Sequence, residues 1–370
     1  MIWAYFLKIF KFFDPELSHN IAIFFLKLNL YPRPKIPNMS IKVDKMLLKN
    51  PIGLAAGFDK NGVIIKQISK IGFGFTEIGT ITPNYQYGNK KPRIFRLSKD
   101  MGIINRNGFN NDGMIKVKQR VKKYKASFGG KNNFKVGVNF GVNKDSLNRI
   151  NDYKLLATNF SIYADFISIN VSSPNTPGLR NFQSEKSLIG VIDSVYNGLM
   201  NKKIKKINIP IFVKISPDLI INDLENIINV AIKKNITGLI ISNTTVDRDL
   251  NLKTIHKHEP GGLSGRPLFK KSTEMLIQAN KISKKYNGKL YFIAVGGIED
   301  SISAYTKILC GAHLLQLYTS LTFQGPLIVK NILNGLEALM ERDNLINFDS
   351  VRGIAKTFDE AEIIASSGLK

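Results

Sequence analysis

The stretch FISINVSSPNTPGLR, residues 166–180, joins a short apolar, β-rich run (Phe166 to Asn170) to the densest cluster of small polar groups in the chain. An apolar run ended by Asn, Ser, Pro and Gly reads as a buried strand entering a loop. Working outward from it, the same pattern recurs at Ile52 to Ala55, Phe75 to Gly79, Val136 to Asn139, Ile211 to Lys214, Gly238 to Ser242, Phe292 to Val295 and Leu314 to Leu317. Longer helical stretches separate these runs, which predicts parallel βα units and an α/β fold. Eight strands is the number of a (β/α)8 TIM barrel. Each run leads directly into polar or glycine-rich residues: AAGFDKNG, GTITPN, NFGVNK, NVSSPNTPG, KISPD, SNTTVD, VGGIED and YTS. In a barrel all of these lie at the carboxyl ends of the strands, where barrel active sites are built. A doubly wound open sheet would instead gather its ligand groups near one switch point.

The length of 370 residues suits a barrel of roughly 250 residues with additions. Hydrophobic residues make up 44% and charged residues 22%, so the chain can bury a substantial core and bulk disorder is excluded. The one cysteine, Cys310, rules out an intramolecular disulfide, and no Cys/His cluster has the spacing of a zinc site, so no metal is expected. The formal charge of +25 would favour nucleic acid or an anionic surface. The lysines are spread among many Ile and Asn residues, however, and the run at 202–206 has no interleaved aromatics. That argues against a basic nucleic-acid-binding protein, which is the rival reading outside enzymes.

The first thirteen residues, MIWAYFLKIFKFF, are almost continuously apolar, yet too few to cross a bilayer, which takes roughly 18 to 20 apolar residues. Asp14-Pro15-Glu16 is a helix-start signature, and a second amphipathic helix should run to about Leu28. Two such helices can lie in a membrane interface, or can pack as an apolar flap on the main domain. The prolines of YPRPKIPNMS, residues 31–40, predict an extended linker. Residues 1–40 therefore read as a membrane-associating extension and 41–370 as the catalytic barrel.

Gly296-Gly297 after the seventh strand and Tyr318-Thr319 after the eighth fall where barrels bind phosphate through backbone amides. Lys60 and Lys214 place cations near the ends of strands one and five, and Asn139 and Asn170 bring amides suited to a planar heterocycle. A cation there would stabilise a reduced, anionic flavin. Ser173 has no histidine near it in sequence, and His19, His256, His258 and His313 do not suggest a nucleophilic triad. A serine can act instead as a general base when its proton has a relay and water is excluded.

With these residues in hand the chain resembles the class 2, quinone-dependent dihydroorotate dehydrogenases. The resemblance is carried by FDPELSH (13–19), NPIGLAAGFDKNG (50–62), EIGTITP (77–83), PRIFRL (92–97), INRNGFNNDG (104–113), NVSSPNTPGLR (170–180), VKISPD (213–218), SNTT (242–245), GGLSGRPL (261–268), VGGI (295–298) and QLYTS (316–320). It implies FMN held by Ala55, Ala56, Gly57, Phe58, Asp59 and Lys60 after the first strand, and by Thr80, Asn139, Asn170, Lys214 and Ser242 around the mouth. Gly265, Gly297, Tyr318 and Thr319 would complete that set. It implies dihydroorotate held by Lys60, Asn105, Arg106, Asn107, Gly108, Phe109, Asn170, Asn175, Asn243 and Thr244. Ser173 takes the place of the base that removes the C5 proton while a hydride leaves C6, and Thr176 and Phe109 would border the path of that proton. Ser242 stands where the family usually has threonine, and Asn107 where a larger residue is common.

Class 1 relatives use a cysteine base with fumarate or NAD as acceptor and lack the N-terminal helices, so Ser173 and those helices point to a membrane quinone. Arg96 and Tyr318 are candidates for its polar contacts. A monomer, peripheral on the cytoplasmic face of a bacterial inner membrane, is what the resemblance implies. No Arg-rich, acid-poor presequence precedes the FDPE segment to suggest a mitochondrial protein instead.

Overall fold

The structure is a computed structural model that describes residues 12–127, 134–200, 208–248, 250–286 and 289–369. The first element among the described residues is a helix at Pro15–Lys27, whose start is set as the sequence predicts. The Asp14 carboxylate accepts hydrogen bonds from the amides of Glu16 and Leu17 at 3.0 and 2.9 Å, and Pro15 occupies the first turn. The apolar run expected to form the first helix lies, up to residue 11, outside the described residues. Among the described residues no helix is long and apolar enough to cross a membrane.

After the proline-rich linker, β1 (Ile41–Val43) and β2 (Met46–Leu48) form a short antiparallel hairpin. Then follow β3 (Ile52–Leu54), β4 (Phe75–Ile81), β5 (Ile94–Leu97), β6 (Gly102–Asn105), β7 (Lys135–Phe140), β8 (Phe166–Asn170) and β9 (Ile211–Ile215). The last strands are β10 (Gly238–Ile241), β11 (Gly262–Gly265), β12 (Tyr291–Val295) and β13 (Leu314–Leu317). All eight strands read from the sequence (β3, β4, β7, β8, β9, β10, β12 and β13) pair in parallel, in chain order, and β13 closes on β3. They are buried along nearly their whole length, because side chains on one face fill the barrel and those on the other meet the helices. The expected (β/α)8 barrel is the observed fold.

Two elements outside that expectation finish the barrel. The β1–β2 hairpin plugs the amino-terminal end: Val43, Met46 and Leu48 pack against Phe75, Phe166 and Phe212 inside it. At the opposite end, β5, β6 and β11 form an antiparallel sheet that roofs one side of the mouth.

The interior phenylalanines need glycines beside them. Phe166 makes edge-to-face contacts with Phe75 at 6.0 Å and Phe212 at 5.7 Å, and a Cβ built on Gly137 would sit 2.0 Å from its ring. Gly137→Ala must therefore displace a packed aromatic ring. It is expected to lower unfolding stability by about 1–3 kcal/mol, the usual range for overpacking, read as a lowered midpoint in urea.

Candidate active site

The polar strand ends converge as a barrel predicts. Ala55, Ala56, Gly57, Lys60, Thr80, Asn170, Ser173, Asn175, Lys214, Ser242, Asn243, Thr244, Gly265, Gly297, Tyr318 and Thr319 line one cavity at the carboxyl end of the barrel. Asn105, Asn107, Gly108 and Phe109, at and beyond the end of β6, close it from above. Barrel strands thus supply the floor, and the antiparallel sheet and its loop supply the roof.

The floor is a continuous hydrogen-bond network. Asn139 accepts from Thr80 Oγ1 at 2.6 Å and donates to Glu77 Oε1 at 2.5 Å, while Asn170 donates to Thr80 Oγ1 at 3.0 Å. Gln316 Nε2 donates to the other Glu77 oxygen at 2.7 Å. These groups are almost completely buried, so each fixes the next. Above them Asn243 donates to Ser172 Oγ at 3.0 Å and to Asn170 Oδ1 at 3.3 Å. Glu77 was missed as a site residue. Its signal was a carboxylate inside the otherwise apolar strand FTEIGTI, which demands a partner inside the barrel.

Four of the expected site residues stand apart from the cavity wall. Asn139 lies one layer beneath it, holding Thr80 and Asn170 in place. Asp59 is spent on its own turn, its carboxylate accepting from the amides of Val63 and Ile64, both at 2.9 Å. Phe58 points the other way, into a second cavity. Arg106 faces outward, where it pairs with Glu259 at 2.7 Å and stacks over Phe95. Sequence adjacency to Gly57, Lys60 and Asn107 does not carry the side chains of Phe58, Asp59 and Arg106 into that wall.

The cavity fits a phosphate-bearing planar cofactor. Backbone approaches it closely at Gly57, Gly265 and Gly297, each with positive φ, and a Cβ on Gly297 would lie 2.4 Å from Phe269. Ser320 Oγ and Gln316 Oε1 are buried in the wall without a protein partner. Lys214 is 5% exposed and lines the same wall. Burial, with Arg93 adding to it, lowers the Lys60 ammonium to about 8, so it is poised to gain from an anionic neighbour. Over this floor, Asn105 Oδ1 accepts from Asn107 at 3.2 Å and Asn175 at 3.4 Å, and Asn107 Oδ1 is buried and unpartnered. Convergent amides of this kind suit a small ring with alternating carbonyl and N–H groups. Ser173, 6% exposed, stands at the same place, its Oγ accepting from the Asn175 amide at 3.3 Å.

The second cavity lies between helix Pro15–Lys27 and the barrel mouth. It is largely apolar, lined by Ala22, Phe25, Leu26, Phe58, Leu321 and Pro326, with Ser18, His19, Arg96 and Thr322 among its polar groups. Tyr318 lines both cavities and packs edge-on against Phe58 at 5.5 Å. Burial, with the charge of Lys60, pushes His19 down to about 3, so it stands neutral there. His19 was another residue that sequence reasoning left unassigned. The described residues hold no cluster of His, Cys, Asp and Glu able to bind a metal.

Comparison with known proteins agrees with this geometry. The family model described as dihydroorotate dehydrogenase matches residues 38–340. The chain is 42% identical over 342 residues to the dihydroorotate dehydrogenase (quinone) of Bartonella tribocorum, covering 92% of each chain. It is 41% identical over 344 residues to that of Rhizobium meliloti, again with 92% of each covered. Among solved structures it is similar to the Eimeria tenella DHODH in complex with ferulenol: 36% identity, TM-score 0.87, 93% of this chain and 96% of that one. The ligand-free form of the Eimeria tenella protein gives 36% identity and TM-score 0.86, with 92% and 99% covered.

Proposed function

The chain belongs to the dihydroorotate dehydrogenase family, and from that premise we propose that it oxidises dihydroorotate to orotate for pyrimidine synthesis, with a membrane quinone as electron acceptor. The observation that carries the reading is the sharing of Tyr318 between an amide-rich cavity and a much more apolar one. Two half-reactions with unlike partners need two unlike chambers that meet at one redox group.

FMN is the group that suits the junction; when bound it accepts a hydride and hands electrons on one or two at a time. Gly297, Thr319 and Gly265 would hold its phosphate and ribityl end. Lys60, Thr80, Asn170, Lys214 and Ser242 would surround its ring, with Lys214 and Lys60 favouring negative charge on it. The four asparagines Asn105, Asn107, Asn175 and Asn243 orient the substrate ring, and Lys60 meets its carboxylate. Ser173 takes the C5 proton. Its hydroxyl is out of contact with bulk water, and the Asn175 amide stabilises negative charge on Oγ as the proton leaves. Thr176, also buried, is the next hydroxyl along the loop and the first candidate for a relay.

Residues 1–40 are the membrane-associating extension in this reading and 41–370 the catalytic unit, with helix Pro15–Lys27 lying over the apolar cavity. Phe13, Leu17, Phe24, Leu28 and Leu30 expose apolar surface on or beside helix Pro15–Lys27, which suits peripheral association with the cytoplasmic face of a bacterial inner membrane. Arg96 is the polar contact for the quinone head within the cavity. A monomer completes the reading.

The test is anaerobic. Dihydroorotate should bleach the flavin absorbance of the purified protein, and a short-chain quinone should restore it. Restoration by fumarate or NAD in preference to quinone would overturn the acceptor, and absence of a flavin spectrum after FMN addition would overturn the whole reading.

A further inference from the structure

Lys307 is fully buried in helix Ser301–Leu309, on the outer side of the barrel, and does not reach the active-site cavity. Its Nζ donates to Ser272 Oγ at 2.7 Å, approaches the Phe269 carbonyl at 3.5 Å and lies 5.2 Å from the Phe269 ring centre. The Ser272 hydroxyl then has its own proton to give, and two carbonyls are in reach: Phe269 at 3.1 Å and Gly296 at 3.3 Å. The Phe269 carbonyl already accepts from Thr273 Oγ1 at 2.6 Å, which leaves Gly296 as the acceptor in need.

The Gly296 carbonyl and the Gly297 N–H belong to one trans peptide and point in opposite directions. Fixing the carbonyl toward Ser272 aims the Gly297 N–H away from it, to the side where Gly296 and Gly297 line the cavity. We propose that Lys307 is a positioning residue for the cofactor phosphate: through Ser272 it orients and polarises the Gly296–Gly297 peptide, and it places a buried positive charge behind the amide that meets the dianion. The proposal rests on the reading that this cavity holds FMN. Burial alone lowers the Lys307 ammonium to about 7, even with the Cys310 thiol beside it, so a cation there gains from any negative group across the peptide. Among the described residues no carboxylate forms an ion pair with Lys307.

The experiment compares FMN with riboflavin, which lacks the phosphate, by fluorescence titration of the full-length protein freed of flavin. Wild type should prefer FMN strongly. In Lys307→Met the FMN preference should fall by about tenfold or more, while riboflavin affinity stays within about twofold, because a charge-assisted interaction with the phosphate is lost and the ring contacts are not. Ser272→Ala, which leaves the lysine in place and changes little volume, should lower the preference in the same direction by a smaller factor. Should Lys307→Met fail to fold, Ser272→Ala alone decides. An unchanged FMN-to-riboflavin ratio in the folded variants, or equal weakening of both ligands, overturns the proposal and leaves the flavin reading intact. Wild-type protein that binds neither ligand overturns both.

Discussion

Ser173→Ala is expected to retain bound flavin and to lose about 10²- to 10⁴-fold in the rate at which dihydroorotate reduces it, the usual contribution of one general base. Stopped-flow absorbance under anaerobic conditions reads that step directly, separate from turnover with quinone. Asn, Thr and Lys side chains surround the proposed substrate position together with Ser173 on the loop after β8, while Glu299, a carboxylate lining the same cavity, is paired with Arg266 at 2.6 Å. Asp59, the carboxylate nearest in sequence to Lys60, is turned into its own loop, and Glu77 lies beneath the floor with both oxygens engaged. His19, on the far side, is held neutral by burial and sits in the apolar cavity. Serine is a poor base in water. Here Oγ is buried and faces the Asn175 amide, so proton loss can be driven only once substrate has closed the site. Ser173→Cys should retain part of the rate with its pH profile moved to lower pH, since a thiol ionises several units below an alcohol. Reduction of Ser173→Ala at the wild-type rate would remove this residue from the role.

The sequence carried the barrel because its signal is local. A parallel strand buried on both faces reads as an unbroken apolar run, and its carboxyl end is marked by the polar residues that function requires there. Two of the eight strands have the expected bounds and the other six differ by one or two residues at an end. The roof was not legible. β6 and β11 pair across more than 150 residues of chain; IFRL, GIIN and GLSG are each four residues long, and GLSG is half glycine, too little to announce a sheet. The hairpin at residues 41–48 was passed over for a similar reason: each strand is three residues long, and its turn depends on Asp44 at φ 50. Within the site, residues whose backbone or small polar group faces the mouth were readable from motif position. Side-chain direction was not: Phe58 lines the second cavity and Arg106 pairs outward with Glu259. Lys307 and Glu77 could be seen only as charges in apolar company; their partners come from distant elements.

The largest effect away from the reacting groups is expected at Arg93. This guanidinium is 4% exposed and binds the helix over the apolar cavity through both oxygens of Glu16, at 3.1 and 2.7 Å. Its remaining arm donates to the carbonyls of Tyr87 at 2.7 Å and Asn89 at 3.1 Å. Asn89 in turn donates to the carbonyls of Arg106 at 2.9 Å and Asn107 at 3.0 Å, which fixes the loop closing over the substrate. One side chain therefore braces both chambers. Arg93→Met should slow flavin reduction by dihydroorotate by at least about tenfold, since a displacement of the roof near 1 Å is enough for such a loss, and should slow re-oxidation by quinone as well. Glu16→Gln separates the two. Burial works against charge at Glu16, yet Arg93 and Lys91 hold its carboxyl below the usual range, so the neutral amide weakens the grip on the helix. The Arg93 bonds to Tyr87 and Asn89 survive that change. Re-oxidation by quinone should then fall by about tenfold while reduction by dihydroorotate stays within about twofold, the interaction lost being worth little more than one charge-assisted bond. Both steps can be followed on the same flavin absorbance in single-turnover mixing. Equal slowing of both steps in Glu16→Gln would mean that the helix braces the substrate loop itself, and wild-type reduction in Arg93→Met would mean that the loop at 87–89 holds without its guanidinium.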